Sequence, residues 1–308
     1  MTSLARPSWD RRWTAAQAAF AAMLVAAFVA ALALLGGGPS LAAPPWTSLV
    51  QEGRFVFRAD FPLEQAADAL ACASRTAEEA PRLLGLAPRR RPAAFYLFAD
   101  EPAMRSYLAK RLPDVPLRRS LFVQGSGHAM VFAQRSAALA TDLRHESTHV
   151  ALHALWAEVP LWLDEGLAEY CEAAPPARLR GHPWLAQATA DARLGRAVRL
   201  DALEAKTRAE TLRDADYRAA WAWVHFLLNG PAEARDELRR YCAAWDAYDA
   251  RRRGDGPNAV GAAASKAAEA AGDPAERPDV VAPEPLSKRL ARRMPDLERQ
   301  FLRHFAGD

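Results

Sequence analysis

Two histidines and a glutamate within residues 144–170, RHESTHVALHALWAEVPLWLDEGLAEY, are spaced so that they can act together on one metal ion. His145 and His149 are four residues apart, so on a helix both rings lie on one face, about 6 Å apart along the axis. Both can then reach one zinc ion at about 2.0–2.1 Å per nitrogen. Glu146 is rotated by about 100° from His145, which excludes it as a ligand in the same plane. It can instead take a proton from a water molecule that the metal activates, so this H-E-x-x-H pattern predicts metal-assisted hydrolysis.

His153 continues the four-residue spacing but lies too far along the helix to complete the site. It is two turns from His145, roughly 12 Å away along the axis, and no single ion spans that distance. No glycine follows His149 before Gly166, so nothing turns the chain back early. We therefore interpret His153 as a packing or surface residue.

The third ligand has to come from a second helix, for which Pro160 offers a start. Glu165 follows His149 with fifteen residues between them, an interval that suits a helix, a turn and an antiparallel helix. Gly166 would let the backbones of these two helices come close. Glu169 lies one turn beyond Glu165 and is placed to accept the free N–H of a ligand histidine. We expect Asp164 to face elsewhere and to be solvated.

This pair of segments resembles the gluzincin zinc metallopeptidases, the thermolysin- and aminopeptidase-like clan, through HESTH at 145–149 and LWLDEGLA at 161–168. Within that clan it is most similar to the bacterial peptidase MA-like branch. The match is specific over residues 143–170 and looser outside them. No aminopeptidase signature for a free N-terminus precedes the motif, which argues against exopeptidase action without deciding between the endopeptidase and exopeptidase modes.

The resemblance implies a zincin-like domain that binds Zn²⁺ and hydrolyses a peptide or protein substrate. It implies His145, His149 and Glu165 as the zinc ligands. Glu146 would be the general base, and Glu169 would support the ring of His145 from outside. Two other interpretations fit the same residues: a catalytically inactive, zinc-binding, membrane-tethered interaction module of this fold, and a metal-free envelope protein in which the motif only pairs charges.

A hairpin and a later tyrosine are expected to complete the site. SLFVQGSGHAMVFAQ, residues 120–134, has two apolar runs joined by a Gly-Ser-Gly centre, which predicts a β-hairpin. In the resembling family such a strand is a sheet edge that pairs with extended substrate, and either 122–124 or 130–134 could supply it. Tyr217 shares a helical face with Trp221 and Val224. It is a candidate donor to the oxyanion of the reaction, and a core tyrosine bonded elsewhere is the alternative; His225 is a weaker candidate.

The elements around the motif predict an α+β fold. Strands are expected at 54–60 and 93–100, before the hairpin, and helices dominate the second half. Together with the resemblance, this implies a zincin-like domain over 44–250, with a small mixed sheet before the H-E-x-x-H helix and a mostly helical C-terminal half. Residues 251–285 turn to Ala, Gly, Pro, Glu and Asp and predict a low-complexity linker. Residues 286–308 predict a C-terminal amphipathic helix.

The first 43 residues predict export. Three arginines precede an uncharged apolar run from Ala18 to Leu35, which is near the lower limit for a membrane span. Ser40 and Ala42 also fit a signal cleavage site, so a retained transmembrane anchor and a cleaved signal are both open. In either case the basic flank stays in the cytoplasm. We expect a protein of the bacterial cell envelope, either anchored with the catalytic domain outside the cytoplasm or exported and periplasmic.

Charge and cysteine content exclude other classes. The formal net charge is only +3, and the arginine runs at 89–91 and 251–253 lack interleaved aromatic residues, so nucleic-acid binding is not expected. The three cysteines show no C-x-x-C spacing, which argues against a thiolate metal site. Cys171 and Cys242 are either a conceivable disulfide pair or small buried residues.

Overall fold

A five-stranded mixed sheet forms the first half of the molecule. The computed structural model describes residues 46–113, 115–125, 128–253 and 281–307. The strands are β1 (Ser48–Glu52), β2 (Phe55–Ala59), β3 (Ala93–Phe98), β4 (Ser120–Gln124) and β5 (Ala129–Gln134), in the spatial order β1-β2-β3-β5-β4. The central pairs β2–β3 and β3–β5 are parallel, whereas β1–β2 and β5–β4 are antiparallel. The predicted mixed sheet and the predicted hairpin are both confirmed.

The burial of the strands follows their place in the sheet. In β2, Phe55, Phe57 and Ala59 are buried and the residues between them are partly exposed, which is the period-two pattern of a half-covered strand. The central β3 is buried at five of its six positions because both faces of the sheet are covered there. The edge strand β1 was not predicted, since its residues SLVQE are all at least partly exposed and show no clear apolar alternation.

Ten helices surround the sheet and build the second half of the described chain. Those nearest the motif and the sheet are α1 (Ala67–Leu83), α2 (Glu101–Arg111), α3 (Leu139–Leu155) and α4 (Leu161–Glu172). The remaining ones are α5 (Leu185–Arg193), α6 (Leu200–Glu204), α7 (Asp214–Asn229), α8 (Ala232–Arg253), α9 (Leu286–Arg293) and α10 (Leu297–Ala306). The protein is therefore α+β, with the strands early and most helices late.

Helix α3, which carries the H-E-x-x-H motif, lies at the centre of the core. It packs on α1 from one side, on α4 from another and on strands β4 and β5. Leu143, Leu152 and Leu155 on α3 are almost completely buried, which fixes the rotation of the helix about its axis. Because the motif residues share that rigid helix, their directions are set by core packing.

Helix α4 packs closely against α7, and Gly166 is the reason. A Cβ atom on Gly166 would lie 2.6 Å from the carbonyl oxygen of Ala220 and 2.9 Å from Cγ2 of Val224. The expectation that Gly166 would bring α4 close to the H-E-x-x-H helix is therefore wrong. The glycine faces the opposite neighbour, because the carboxylates of α4 occupy the side toward α3.

The C-terminal segment is two helices rather than one. The chain leaves helical geometry at Met294, with φ −128° and ψ 80°, because the following Pro295 disfavours a helical conformation before it. Both helices bury apolar residues on the domain, with Leu286 and Leu290 from α9 and Phe301 and Phe305 from α10. Helix α8 runs to Arg253, so it extends into the predicted linker, most of which lies outside the described residues.

The predicted export segment also lies outside the described residues. Within the residues that are described, no helix combines the length and apolar character that a membrane span needs. Cys72, Cys171 and Cys242 are all free thiols, so the conceivable Cys171–Cys242 bridge is not formed.

Candidate metal centre

His145, His149 and Glu165 converge between α3 and α4. The Nε2 atoms of His145 and of His149 each lie 3.8 Å from Oε2 of Glu165. The two rings meet edge to face, with centroids 4.9 Å apart. All three residues are buried or nearly so, and their ligand atoms lie within 4.8 Å of one another. The structure thus brings together the three residues that the sequence analysis selected.

The separations of these donor atoms fit a metal ion. Two ligand atoms at about 2.0–2.1 Å from a tetrahedral zinc ion are about 3.4 Å apart, or somewhat more when the angle opens. A distance of 3.8 Å is close to that value and is too long for a hydrogen bond. Two imidazole nitrogens and one carboxylate oxygen, with one position left for water or substrate, are a donor set typical of catalytic zinc.

Carboxylates hold the opposite nitrogen of each ring. Nδ1 of His149 lies 2.7 Å from Oδ1 of Asp164, and Nδ1 of His145 lies 2.9 Å from Oε1 of Glu172. Such contacts fix the tautomer of a ligand histidine and direct its Nε2 atom toward the metal. Two expectations are corrected here. Asp164 is buried rather than solvated, and Glu172, not Glu169, is bonded to His145.

Two further groups of side chains overlap this centre, but each contains a histidine that is already hydrogen-bonded to a carboxylate. One consists of His149, His153 and Asp164, and the other of His145, Glu169 and Glu172. Their nitrogen–oxygen contacts of 2.7–3.0 Å are direct hydrogen bonds and are shorter than the separation of two ligands on one tetrahedral ion. The Glu165 group is therefore the best candidate for a metal.

His153 belongs to the support of the site. Its Nε2 atom lies 3.0 Å from Oδ2 of Asp164, so this carboxylate is shared by the rings of His149 and His153. The ring of His153 also packs on Phe122 of the edge strand β4, with centroids 4.9 Å apart. His153, expected to be a packing or surface residue, is thus hydrogen-bonded to the group that orients His149.

The charges of this cluster shift several pKa values. Burial disfavours the charged forms, but the Asp164–His149 pairing outweighs it, so the pKa of Asp164 falls and that of His149 rises. Burial likewise opposes protonation of His145, and its hydrogen bond to Glu172 raises its pKa nevertheless. Among the described residues, none forms such a hydrogen bond with the carboxyl of Glu169. Burial, and then the nearby charge of Glu172, raise the pKa of Glu169 well above its ordinary value.

Glu146 is buried and held from the edge strand. Its Oε1 atom accepts a hydrogen bond of 2.7 Å from Oγ of Ser120, the first residue of β4. The residue before it, Arg119, forms two hydrogen bonds of 2.8 and 3.0 Å from its Nε to the carboxylate of Asp142, one turn before Glu146 on α3. Ser120 was not predicted from the sequence. The only available signal was its place at the start of the strand that precedes the motif.

A cleft of about 450 Å³ opens in front of the cluster. It runs along the whole of β4, which is an edge strand, whereas β5 is covered on both sides by β3 and β4. Of the two stretches proposed for pairing with substrate, only 122–124 therefore lies at an edge. The lining also includes Val115, Pro116, Arg118, Ala209, His145, Glu146, His149, Asp164 and Glu165. A larger cavity of about 620 Å³ lies between α6 and the C-terminal helices, and none of the metal-binding groups lines it.

Tyr217 on α7 lies within electrostatic reach of the site. It is half-buried, and burial, followed by the negative charge of Glu165, raises the pKa of its hydroxyl. Arg118 lies close enough to that hydroxyl to oppose this rise in its pKa. His225, the weaker candidate, faces away, with its ring nitrogens at 2.8 Å from His304 and at 3.1 Å from the carbonyl oxygen of Leu179.

No protein-family model matches this sequence, and no curated protein matches it. A functional assignment therefore depends on the residues of the chain and on their geometry.

Proposed function

We propose that the protein is a zinc-dependent metallopeptidase. The observation that supports this most is the convergence of His145 Nε2, His149 Nε2 and Glu165 Oε2, with the two nitrogens each 3.8 Å from the oxygen. A buried glutamate adjacent to them and an open cleft along an edge strand provide the other parts that peptide hydrolysis needs. The bound zinc would polarise the carbonyl of the scissile bond and make a water molecule more acidic.

Glu146 would move the proton in this reaction. Its Oε1 atom is occupied by the hydrogen bond from Ser120, so Oε2 is the oxygen available to accept a proton from water. The same carboxylic acid then returns that proton to the nitrogen of the leaving amine as the peptide bond breaks. The tie to Ser120 keeps the carboxylate in one orientation throughout, which avoids the cost of reorganising it.

The substrate would be an extended peptide. An edge strand presents unpaired N–H and C=O groups that add a further strand by backbone hydrogen bonds, whatever the side chains of that strand. β4 is such an edge, and it lies in the cleft with Ser120 beside Glu146. Tyr217, beside Glu165, is the proposed donor to the oxyanion that forms at the carbonyl.

The decisive experiment combines metal analysis with Glu146→Gln. We expect about one zinc per chain in both the wild type and the variant, because Glu146 is not a ligand. Peptide hydrolysis should fall at least about a hundredfold in the variant. The matched control is Glu101→Gln, the same change at an exposed position on α2, and it should leave hydrolysis unchanged. Absence of zinc would refute the assignment, and zinc without cleavage of any peptide would favour the inactive interaction module.

We also propose that the domain acts outside the bacterial cytoplasm, either on the membrane or free in the envelope. The support is the basic, then apolar, composition of residues 1–43, which is typical of export segments. Fusion of these residues to a reporter that is active only after export should give an active reporter. A second fusion, to a reporter that is active only in the cytoplasm, should be inactive, and activity of this second fusion alone would refute the proposal.

A further inference from the structure

Arg118 is a cation in the cleft that forms no ion pair with any of the described carboxylates. It lines the same cleft as His145 and Glu146, and it is exposed. It also lies near the hydroxyl of Tyr217, where it opposes the rise in the pKa of that group. A guanidinium carries five N–H donors in a planar fork that matches a carboxylate. Most of those donors therefore remain available to a molecule in the cleft.

The other ionisable groups around the cleft differ from Arg118 in this respect. The adjacent Arg119 is bonded to Asp142 by contacts of 2.8 and 3.0 Å. Glu146 accepts from Ser120, and each ring of the histidine pair is bonded to a carboxylate. Two neighbouring arginines thus have different roles. Arg119 stabilises the strand against α3, whereas Arg118 faces a space that substrate would enter.

The position of Arg118 along the chain also matters. Ser120 marks the point of β4 that faces Glu146, and the rest of the strand, 121–124, extends to one side of it. Arg118 lies on the other side, two residues before Ser120, which is about 7 Å in an extended chain. A peptide paired with β4 would therefore reach Arg118 within about two residues of the bond that faces Glu146.

We propose that Arg118 binds a carboxylate of the substrate, one or two residues from the bond that is cut. This inference rests on the proposed peptidase function and specifies its substrate class. The carboxylate is either the C-terminus of the peptide or the side chain of an aspartate or glutamate. A peptide that pairs antiparallel with β4 would direct its C-terminal end toward Arg118, and this would allow release of short C-terminal fragments.

The test compares matched peptide pools on the zinc-loaded full chain. One pool of randomised hexapeptides has free C-terminal carboxyl groups, and a second pool of the same sequences is amidated. The third and fourth pools are amidated peptides that differ at one fixed position, which is glutamate in the third pool and glutamine in the fourth. Mass spectrometry gives the relative kcat/KM for each pair in the wild type, in Arg118→Gln and Arg118→Lys, and in Arg82→Gln, an exposed control on α1 whose side chain is 63% accessible.

We expect the wild type to prefer the acidic member of at least one pair by about 10–100-fold, the range of a charge-assisted hydrogen-bonded pair. Arg118→Gln should bring that ratio close to one, Arg118→Lys should retain part of it, and Arg82→Gln should retain all of it. The affected pair identifies the source of the carboxylate. Equal kcat/KM values of the wild type for the acidic and the neutral peptides of both pairs would overturn the proposal. So would an Arg118→Gln protein that prefers the acidic peptides as strongly as the wild type does.

A binding measurement separates this inference from the proposed function. Retention of the same pools by the zinc-loaded Glu146→Gln protein does not require hydrolysis, so it reports on Arg118 even if the wild type cuts no peptide. We expect the Glu146→Gln protein to retain acidic peptides preferentially and the Glu146→Gln, Arg118→Gln double variant to lose this preference. That result would support carboxylate binding by Arg118 even if the wild type cut no peptide. Equal retention of acidic and amidated peptides would refute carboxylate binding whether or not the protein cuts them.

Discussion

Gly166→Ala should destabilise the protein although alanine is the better helix former. The added Cβ would lie 2.6 Å from the carbonyl oxygen of Ala220 and 2.8 Å from its carbonyl carbon. Ordinary contacts of this kind begin at 3.4 Å, so α4 and α7 would have to separate by about 0.8 Å, the difference between 3.4 and 2.6 Å. The obstacle is backbone, which cannot rotate away as a flexible side chain can.

The size of the effect follows from two opposing terms. Overpacking of a well-packed core costs about 1–3 kcal/mol. Replacing a helical glycine with alanine contributes about 0.5–1 kcal/mol in the other direction. We therefore expect a net loss of about 1–2 kcal/mol in the free energy of unfolding. Since Glu165 is the preceding residue, the displacement of α4 should also weaken zinc binding.

Urea unfolding followed by circular dichroism measures the first effect, and zinc competition with a chromophoric chelator measures the second. Trimming Val224 to alanine in the same protein should not restore stability, because the contact with the Ala220 carbonyl remains. An equally stable or more stable Gly166→Ala protein would show that the two helices are not in close contact at this position. The packing described for α4 and α7 would then be wrong.

Three further predictions concern the surroundings of the site. His153→Phe should lower the zinc affinity about 10–100-fold, whereas His153→Gln, which keeps an N–H donor for Asp164, should retain most of the wild-type affinity. Equal zinc affinities of the wild type and His153→Phe in chelator competition would show that His153 does not support the site. Ser120→Ala should lower kcat about tenfold without changing the zinc content, and an unchanged kcat would show that its hydrogen bond does not orient Glu146. Burial, and then the charge of His225, lower the pKa of His304 to about 4 from 6.5, so stability is fully present above pH 6.5 and is lost as the pH falls toward 4. With a discount for partial exposure we expect His304 to contribute a loss of about 1–2 kcal/mol, so thermal unfolding across this range should show a smaller loss in His304→Gln than in the wild type. His182 and His225, whose pKa values are also lowered, account for the remainder.

Much of the fold could be predicted because it depends on local pattern. The Gly-Ser-Gly centre between two apolar runs predicted the hairpin of β4 and β5. The four-residue spacing of His145 and His149, and the helix-length interval to Glu165, predicted three residues that the structure brings together. These inferences need only the geometry of single helices and short connections.

The partners of the ligand rings could not be predicted, because they depend on how one helix is rotated against another. Glu165 was expected at the metal and Asp164 in solvent, but which carboxylate would turn toward Nδ1 of His149 could not be read from the sequence. That choice is made by the rotation of α4, which its close packing against α7 at Gly166 fixes. Ser120 was missed for a similar reason, because its contact with Glu146 joins residues 26 apart on different elements.

The edge strand is joined to the motif helix at two successive points, Arg119 to Asp142 and Ser120 to Glu146. Asp142 and Glu146 are one helical turn apart, so the strand and the helix are held at two adjacent positions and neither can pivot about a single contact. The gap between them consequently has a set width. Under the proposed function, such a cleft would favour a single extended chain, whereas a folded domain would have to unwind locally before a bond could reach the buried Glu146.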